Sequence, residues 1–441
     1  MRIFIVGAGL VGARIVSALH AEHELTVVDV EPARLRPLAQ RYDVATARAS
    51  ASSGRQLLSA GIADAELVIA CTSRDDANLV AGAFARSVAR GAKTIVRTSS
   101  AEFVEVWQEG RLDVDCVVSD QLETARAVSA AVGMPAARHT DTFAEGRIQV
   151  LELDVPAAAG AQLVNQKLRS ARLPGESRIA GVIRDEKTVL VRGDTEIAPG
   201  DRVVVIASPA AAVDWCRLVA PQTVAVTDVV VFGARELGAA IARSLCQQGL
   251  AVRVIEPDTD RAASLAERLP AARVFHTDGL DPEFLKREGI SRVQAAIFAM
   301  RDDPRNLFAA ALARLEGVPY RIALAHTPIS ERVYEAVGID VTIDPLLVTS
   351  EEIMRFAHDP RTRQMAMLEH DQFIVLDLTT SPDSEYVGVA MRELPRRGAV
   401  IGAIVRDDRA IFPHADDRLQ PGDRVIVFTE AARAAEVERA L

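Results

Sequence analysis

Short runs of apolar residues recur along the chain, and each is followed by a longer segment whose apolar positions return every three or four residues. Short apolar runs bounded by turn residues are typical of buried strands, whereas the longer spacing is typical of amphipathic helices. The first part of the chain predicts strands at 3–6, 25–28, 67–70 and 94–97 and helices near 11–20, 32–41 and 76–90. This alternation favours a parallel sheet covered on both faces by helices.

The pattern then changes and the whole arrangement repeats. Apolar runs at 148–155, 179–184, 188–191 and 203–206, a helix near 163–170 and a tight Pro-Gly-Asp turn at 199–201 predict a small α+β unit. RIFIVGAGLVG (2–12) recurs as DVVVFGARELG (228–238), IAGVIRD (179–185) as IGAIVRD (401–407), and PGDR (199–202) as PGDR (421–424). Blocks that recur in the same order indicate an internal duplication.

The sequence therefore predicts four domains of an α/β protein. Two Rossmann-like, doubly wound parallel-sheet domains are each followed by a small α+β domain, with predicted boundaries at 1–122, 138–220, 226–345 and 362–441.

The first glycine turn carries the clearest chemical signal. Gly7-Ala8-Gly9-Leu10-Val11-Gly12 is a G-x-G-x-x-G motif that follows a predicted strand and opens a predicted helix. In such a motif the first glycine permits the tight turn, the second lets the backbone approach a pyrophosphate, and the third lets the helix pack on the sheet. Asp29 ends the second strand, where a carboxylate accepts ribose hydroxyls and repels a 2′-phosphate. NAD(H) or an adenosine nucleotide is therefore favoured over NADP.

Further candidates follow the next two strands, because ligands bind beyond the carboxyl ends of parallel strands. Thr72 and Ser73 follow the third strand, and Arg97 ends the fourth, where it could pair with a phosphate. A structural ion pair is the alternative for Arg97. Asp75 and Asn78 are also candidates, with the alternative that they are helix capping and packing residues.

The second glycine turn departs from the motif. In Gly233-Ala234-Arg235-Glu236-Leu237-Gly238 an arginine stands where the second glycine belongs, whereas Glu256 keeps the ribose carboxylate. A side chain at Arg235 should crowd a pyrophosphate, although its charge offsets part of that effect. Asp278 and Asp281 could add polar contacts to an adenosine. The second pocket is thus open to two interpretations, a dinucleotide site or a degenerate, differently loaded one.

Composition and charge exclude several classes of protein. The net charge is −10 and the basic residues form no tract, which excludes nucleic acid as an expected partner. No apolar run approaches the ~18 residues of a membrane span, and the N-terminus reads as a strand, so a cytosolic chain is expected. The four cysteines form no C-x-x-C pair and are expected to be buried thiols.

Together, the GxGxxG half with its acid, the T-S-x-D-x-x-N segment and both PGDR turns resemble the RCK/KTN family (regulators of potassium conductance), here in tandem. The resemblance implies a non-enzymatic regulatory subunit of a Trk-type potassium uptake system, peripheral to the inner face of the cell membrane. It implies a partner of TrkH type, a homo-oligomeric ring of RCK units, and NAD(H) or ATP/ADP as the regulatory ligand.

The resemblance also carries ligand positions onto this sequence. The implied cofactor-binding residues are Gly7, Ala8, Gly9, Leu10, Val11, Gly12, Asp29, Thr72, Ser73 and Arg97 in the first half, and Gly233, Ala234, Arg235, Glu236, Leu237 and Glu256 in the second. No catalytic or metal site is expected. The alternatives are a regulator of another cation channel or antiporter, and an NAD-dependent dehydrogenase, which would need an acid/base domain that the duplication leaves no room for.

Overall fold

The computed structural model describes residues 1–156, 163–164, 166–184, 187–191, 193–221, 225–355, 362–368, 372–394 and 398–441. Over these segments the chain builds one two-part unit twice: a six-stranded parallel sheet with helices, then a five-stranded antiparallel sheet. The strand order is the same in both copies, which confirms the predicted fold class and shows that the duplication extends to topology.

The first parallel sheet has the strand order β3-β2-β1-β4-β5-β6. Strands β1 to β6 span Arg2–Val6, Glu24–Asp29, Ala45–Arg48, Leu67–Ala70, Lys93–Thr98 and Cys116–Ser119. Helices α1 to α6 span Leu10–Leu19, Pro32–Arg41, Gly54–Ser59, Asp75–Val88, Glu102–Gln108 and Asp120–Gly133. The order reverses between β1 and β4, and the crevice at such a reversal is where doubly wound sheets bind ligands.

The first antiparallel sheet has the order β10-β9-β11-β8-β7. Its strands β7 to β11 span His139–Phe143, Ile148–Asp154, Ser177–Arg184, Lys187–Leu190 and Arg202–Ala207, and helix α7 spans Pro209–Val219. Trp215 anchors α7 on this sheet, since its side chain is fully buried and its Nε1 donates a 2.8 Å hydrogen bond to Ser177 Oγ.

The second half repeats both sheets, in the orders β14-β13-β12-β15-β16-β17 and β18-β19-β22-β20-β21. Strands β12 to β17 span Asp228–Phe232, Ala251–Glu256, Arg273–His276, Ala295–Phe298, Tyr320–Leu324 and Val341–Ile343. Helices α8 to α13 span Glu236–Gln247, Thr259–Arg268, Pro282–Arg287, Asp303–Leu315, Pro328–Ala336 and Pro345–Arg355. Strands β18 to β22 span Thr362–Leu368, Phe373–Thr379, Ala399–Arg406, Arg409–Ile411 and Arg424–Glu430, and α14 spans Ala434–Ala440. Across the described part of the chain, no helix has both the length and the apolarity that crossing a bilayer requires.

The helix predicted near 163–170 is wrong. The described residues of this segment form turns and two isolated bridges, one joining Val164 to Ile197. The backbone N–H groups of Leu168 and Arg169 donate to the carbonyl groups of Thr195 and Gly193, at 3.0 and 2.9 Å, instead of to the preceding turn. Long-range pairing has therefore overridden the helical spacing of the apolar residues.

The two halves exchange a helix. Helix α6 of the first half packs on α8 of the second, so that Val128 lies in the same core as Ile241. Helix α13 of the second half packs on α1 of the first, so that Ile353 lies in the same core as Ile15. Because each parallel-sheet domain completes its core with a helix of the other, a displacement in one half is felt directly by the other.

The antiparallel sheets also pack on each other, and one ion pair recurs in both. Arg184 donates two hydrogen bonds of 2.6 Å to Asp201, whose Oδ2 also accepts one from the Ala198 N–H at 2.7 Å. Arg406 and Asp423 make the same pair at 2.8 and 2.7 Å. In each half, the recurring R-D and P-G-D-R segments are thus joined by an ion pair, which holds the tight turn against the end of a strand.

Asp201→Asn should destabilise the first antiparallel domain by about 2 kcal/mol at neutral pH, because it breaks hydrogen bonds to a charged group. Burial favours the neutral form of Asp201, but Arg184 and the Ala198 N–H outweigh that effect and lower its pKa. A lowered pKa stabilises the fold above the unfolded-state value of about 3.9, and this contribution is lost as the pH falls below it. The urea midpoints of the wild type and Asp201→Asn should therefore approach each other as the pH falls below about 4. Asp214→Asn, at an exposed pair, should change the midpoint little at either pH.

Candidate functional site

The first glycine turn lies between β1 and α1, at the reversal of strand order. Gly7 has φ +115°, and a Cβ there would lie 2.9 Å from the Thr72 backbone nitrogen. A Cβ on Gly12 would lie 1.9 Å from the Gly7 carbonyl oxygen. Both glycines are therefore required by the fold itself, since backbone atoms occupy the space that any side chain needs.

Gly9 differs from its two neighbours in the motif. Its φ of −73° suits any residue, and the nearest heavy atom to a Cβ would be Arg34 Nη1, at 3.9 Å. In α1, which the structure describes in full, Gly9 is the N-cap and the first turn has no acidic residue. The fold does not require glycine here, so the open space above the helix N-terminus fits the close approach of a phosphate.

Asp29 is held rigidly at the edge of this turn. Its Oδ2 accepts a 2.8 Å hydrogen bond from the Ala8 N–H, and its Oδ1 accepts a 2.9 Å bond from the Glu31 N–H. The residue is 7% exposed, and no ion pair to it occurs among the described residues. Each carboxylate oxygen keeps accepting capacity, which fits a ribose with free hydroxyl groups.

Asn78 fixes the ends of the next two strands. Its buried amide accepts from the Thr72 N–H at 2.9 Å and from Thr72 Oγ1 at 2.6 Å, and it donates to the carbonyl groups of Thr72 and Arg97 at 2.9 and 3.0 Å. Asn306 repeats this arrangement on Met300 and Leu324. The packing interpretation of Asn78 is therefore the one that its contacts match. Ser73 is exposed beside it.

Asp75 also has structural partners. Its carboxylate accepts hydrogen bonds from Thr98 Oγ1 at 2.9 Å and from the Ser99 N–H and Oγ at 2.9 and 2.7 Å. These bonds hold the loop that follows β5, so Asp75 stabilises the edge of the crevice.

Arg97 forms an ion pair with Asp120. A structural ion pair was the alternative role that the sequence left open for this residue. Its Nε and Nη2 donate to Asp120 at 2.9 and 2.6 Å, and its side chain is 14% exposed. Burial opposes the charged form, but Asp120 outweighs it and raises the pKa of Arg97. Asp120 also accepts a 3.0 Å hydrogen bond from Thr349 Oγ1 on α13 of the other half. The phosphate contact of Arg97 stays a prediction, and a ligand making it would compete with Asp120.

The second glycine turn keeps the geometry of the first. Gly233 has φ +98°, and a Cβ on Gly238 would lie 2.0 Å from the Gly233 carbonyl oxygen. Glu256 is buried and accepts from the N–H groups of Ala234 and Asp258 at 2.7 and 3.0 Å. Arg235, in extended backbone with φ −65°, is exposed, as is Glu236, and Leu237 is half-buried.

Two acidic candidates near the second turn have local partners. Asp278 accepts a 2.9 Å hydrogen bond from Arg305, and Asp281 caps α10 through the Glu283 N–H at 3.0 Å. Both are exposed, and both bonds are explained without a ligand. Within the described segments, no group of His, Cys, Asp and Glu side chains could hold a metal ion.

Sequence reasoning missed Asp120, Thr349 and Asn306. Asn306 could have been found, because it occupies the position of Asn78 in the repeated segment. Asp120 follows β6, which pairs with the strand that carries Arg97, and Thr349 reaches Asp120 only through the packing of α13 on α6. Neither residue carries a local sequence signal for these contacts.

Comparison with known proteins assigns all four parts of the chain. The TrkA-N domain model matches residues 3–120 and 229–345, and the TrkA-C domain model matches 153–217 and 375–441. A Trk system potassium uptake protein TrkA homolog of Archaeoglobus fulgidus is 30% identical over 444 residues, covering 99% of each chain. The Trk system potassium uptake protein TrkA of Haemophilus influenzae is 26% identical, covering 100% of this chain and 98% of its own.

Solved structures share the fold over the full length. The GsuK RCK domain has a TM-score of 0.59 at 18% identity and covers 100% of this chain and 94% of its own. The GsuK channel bound to NAD has a TM-score of 0.59 at 18% identity, covering 100% of this chain and 78% of its own.

Proposed function

Since this chain belongs to the TrkA family of Trk system potassium uptake proteins, we propose that it regulates a membrane potassium transporter by binding an adenine nucleotide at its first glycine turn. The observation that carries the proposal is the pairing of Gly9 with Asp29. Gly9 leaves open space above a helix N-terminus, and Asp29 presents a fixed carboxylate beside that space.

The proposed ligand is NAD(H) or ATP/ADP, bound as a regulator and not consumed. Pyrophosphate would lie against the N-terminus of α1, where the helix dipole and free N–H groups favour negative charge. Ribose hydroxyls would donate to Asp29, which disfavours a 2′-phosphate. The fold-related GsuK channel has been solved bound to NAD, which supports this class of ligand.

The proposed partner is a membrane transporter subunit of TrkH type, contacted from the cytoplasmic face by a homo-oligomeric ring of these chains. A ligand can bias such an assembly only through different affinities for two conformations. Coupling of about 1–3 kcal/mol between the two sites would be typical. The exchanged helices α6 and α13 offer the physical route, because each is part of both halves.

The test is potassium uptake at limiting external potassium in cells that lack only this chain. The intact gene should restore uptake, and Asp29→Ala, if its melting temperature shows that it folds, should restore little. Asp43→Ala, at an exposed carboxylate between α2 and β3, is the matched control and should restore uptake fully. Normal uptake without the chain, in cells that hold no second copy of such a gene, would contradict the proposal.

A further inference from the structure

The two candidate nucleotide pockets differ in which carboxylate is bound by an arginine at an equivalent position. Arg34 and Arg261 occupy equivalent positions in α2 and α9. In the first half, Arg34 Nε binds Glu31 Oε2 at 3.0 Å, and no ion pair to Asp29 occurs in the part of the chain that the structure describes. In the second half, Arg261 Nη2 donates to the ribose carboxylate itself, at 2.8 Å from Glu256 Oε1.

The lengths of two acidic side chains in each half explain this difference. The first half has a short acid at the ribose position, Asp29, and a long one two residues later, Glu31. The second half reverses them, with Glu256 at the ribose position and Asp258 two residues later. The longer glutamate is the one that meets the arginine most closely in each half, and Arg261 also reaches Asp258 Oδ2 at 3.1 Å.

The arginine takes up the remaining accepting capacity of one carboxylate oxygen of Glu256, Oε1. Its Oε1 accepts from both Arg261 and the Asp258 N–H, and its Oε2 accepts from the Ala234 N–H. Burial favours the neutral acid, but these hydrogen bonds outweigh burial and lower the pKa of Glu256. The Glu256 side chain is 3% exposed, so a ribose hydroxyl that donates to Oε1 would have to displace a charged donor from a buried carboxylate.

The glycine turn of the second half also differs from that of the first in a way that disfavours a dinucleotide. Of its three glycines, the second half keeps Gly233 and Gly238, which the backbone requires, and replaces only the one that the fold leaves free. Arg235 stands at that position, where Gly9 leaves open space in the first half. Loss of the ligand-facing glycine is independent of the arginine on Glu256, and both changes act against a dinucleotide.

We propose that Arg261 is a specificity-determining residue that closes the second pocket to nucleotides with free ribose hydroxyls, so that each chain binds one NADH. This inference rests on the proposed function, in which the first pocket binds such a nucleotide. Arg235 crowds the pyrophosphate position, and Arg261 occupies the carboxylate that would select the ribose.

Counting NADH sites on the full-length chain by calorimetric titration tests the inference. The wild type should bind one NADH per chain, and Arg235→Gly alone should add no site. The double variant R235G/R261A should bind one NADH more, because Glu256 then has the same two backbone donors as Asp29. The matched double variant R235G/R34A removes the equivalent arginine of the first half and should add no site.

The added site is counted relative to Arg235→Gly, so it is separable from the first pocket. A wild type that binds neither NADH nor ADP would contradict the proposed function, while an NADH site gained in R235G/R261A would still support Arg261 as the closing residue. Two sites in the wild type or in Arg235→Gly, or no gain in an R235G/R261A protein with a wild-type melting transition, would overturn the inference.

Discussion

Gly9→Gln should weaken nucleotide binding by about 100-fold, which corresponds to about 2.7 kcal/mol. A glutamine side chain fills the space through which the backbone would approach the pyrophosphate, without adding the charge of an arginine. The melting temperature should fall by only a few degrees, because replacing glycine at an N-cap costs about 1 kcal/mol or less. The second half shows that the turn tolerates a long side chain, since Arg235 has nearly the same backbone angles as Gly9.

Gly12→Ala provides the contrasting variant for this prediction. Its Cβ would lie 1.9 Å from the Gly7 carbonyl oxygen, so the turn and α1 must move apart. Gly12→Ala should therefore lose stability and binding together, whereas Gly9→Gln should weaken binding with only a small loss of stability. Thermal melting with calorimetric titration separates the two cases. An unchanged affinity in Gly9→Gln would mean that no pyrophosphate passes over this residue.

Asp120→Ala should lower the free energy of unfolding by about 3–5 kcal/mol, the typical cost of leaving a buried charge without its partner. Arg97 is 14% exposed and would lose both of its hydrogen bonds to the carboxylate. Thr349 of the exchanged helix α13 would lose its bond to Asp120 as well. The urea midpoint should therefore fall for the whole chain, since the ion pair lies where the two halves are joined.

Two further variants separate the charge from the packing. Thr349→Val removes one neutral donor to the same carboxylate and should cost about 1–1.5 kcal/mol. The double variant R97M/D120L replaces the buried pair by apolar groups and should be much more stable than Asp120→Ala. If Asp120→Ala unfolds at the same urea concentration as the wild type, the ion pair does not hold the halves together.

The features that could be predicted from sequence are those that recur locally. Gly7, Gly12 and Asp29 lie within one strand-turn-helix-strand unit, so their spacing alone defines the turn, and the repeat defines the second copy. The segment near 163–170 was predicted wrongly because its backbone pairs with residues 24 to 33 positions away. No local pattern contains such a pairing.

The connection between the halves was not predictable for the same reason. Arg97 could be placed at the end of a strand, but its partner Asp120 begins a helix that packs on the other half. Likewise, Arg34 and Arg261 occupy equivalent positions in the repeat, and only the reach of Glu31 and Glu256 in three dimensions decides which carboxylate each one binds. The repeat in the sequence therefore predicts two similar turns, but it does not show that the two pockets differ.

Titration of the purified chain with NADH and with ADP shows whether the first glycine turn binds an adenine nucleotide through Asp29. We expect saturable binding of at least one of them at one site per chain, weakened about tenfold or more in Asp29→Ala and unchanged in Asp43→Ala. Absence of binding of both nucleotides to the folded wild type, or equal binding by Asp29→Ala, would contradict it.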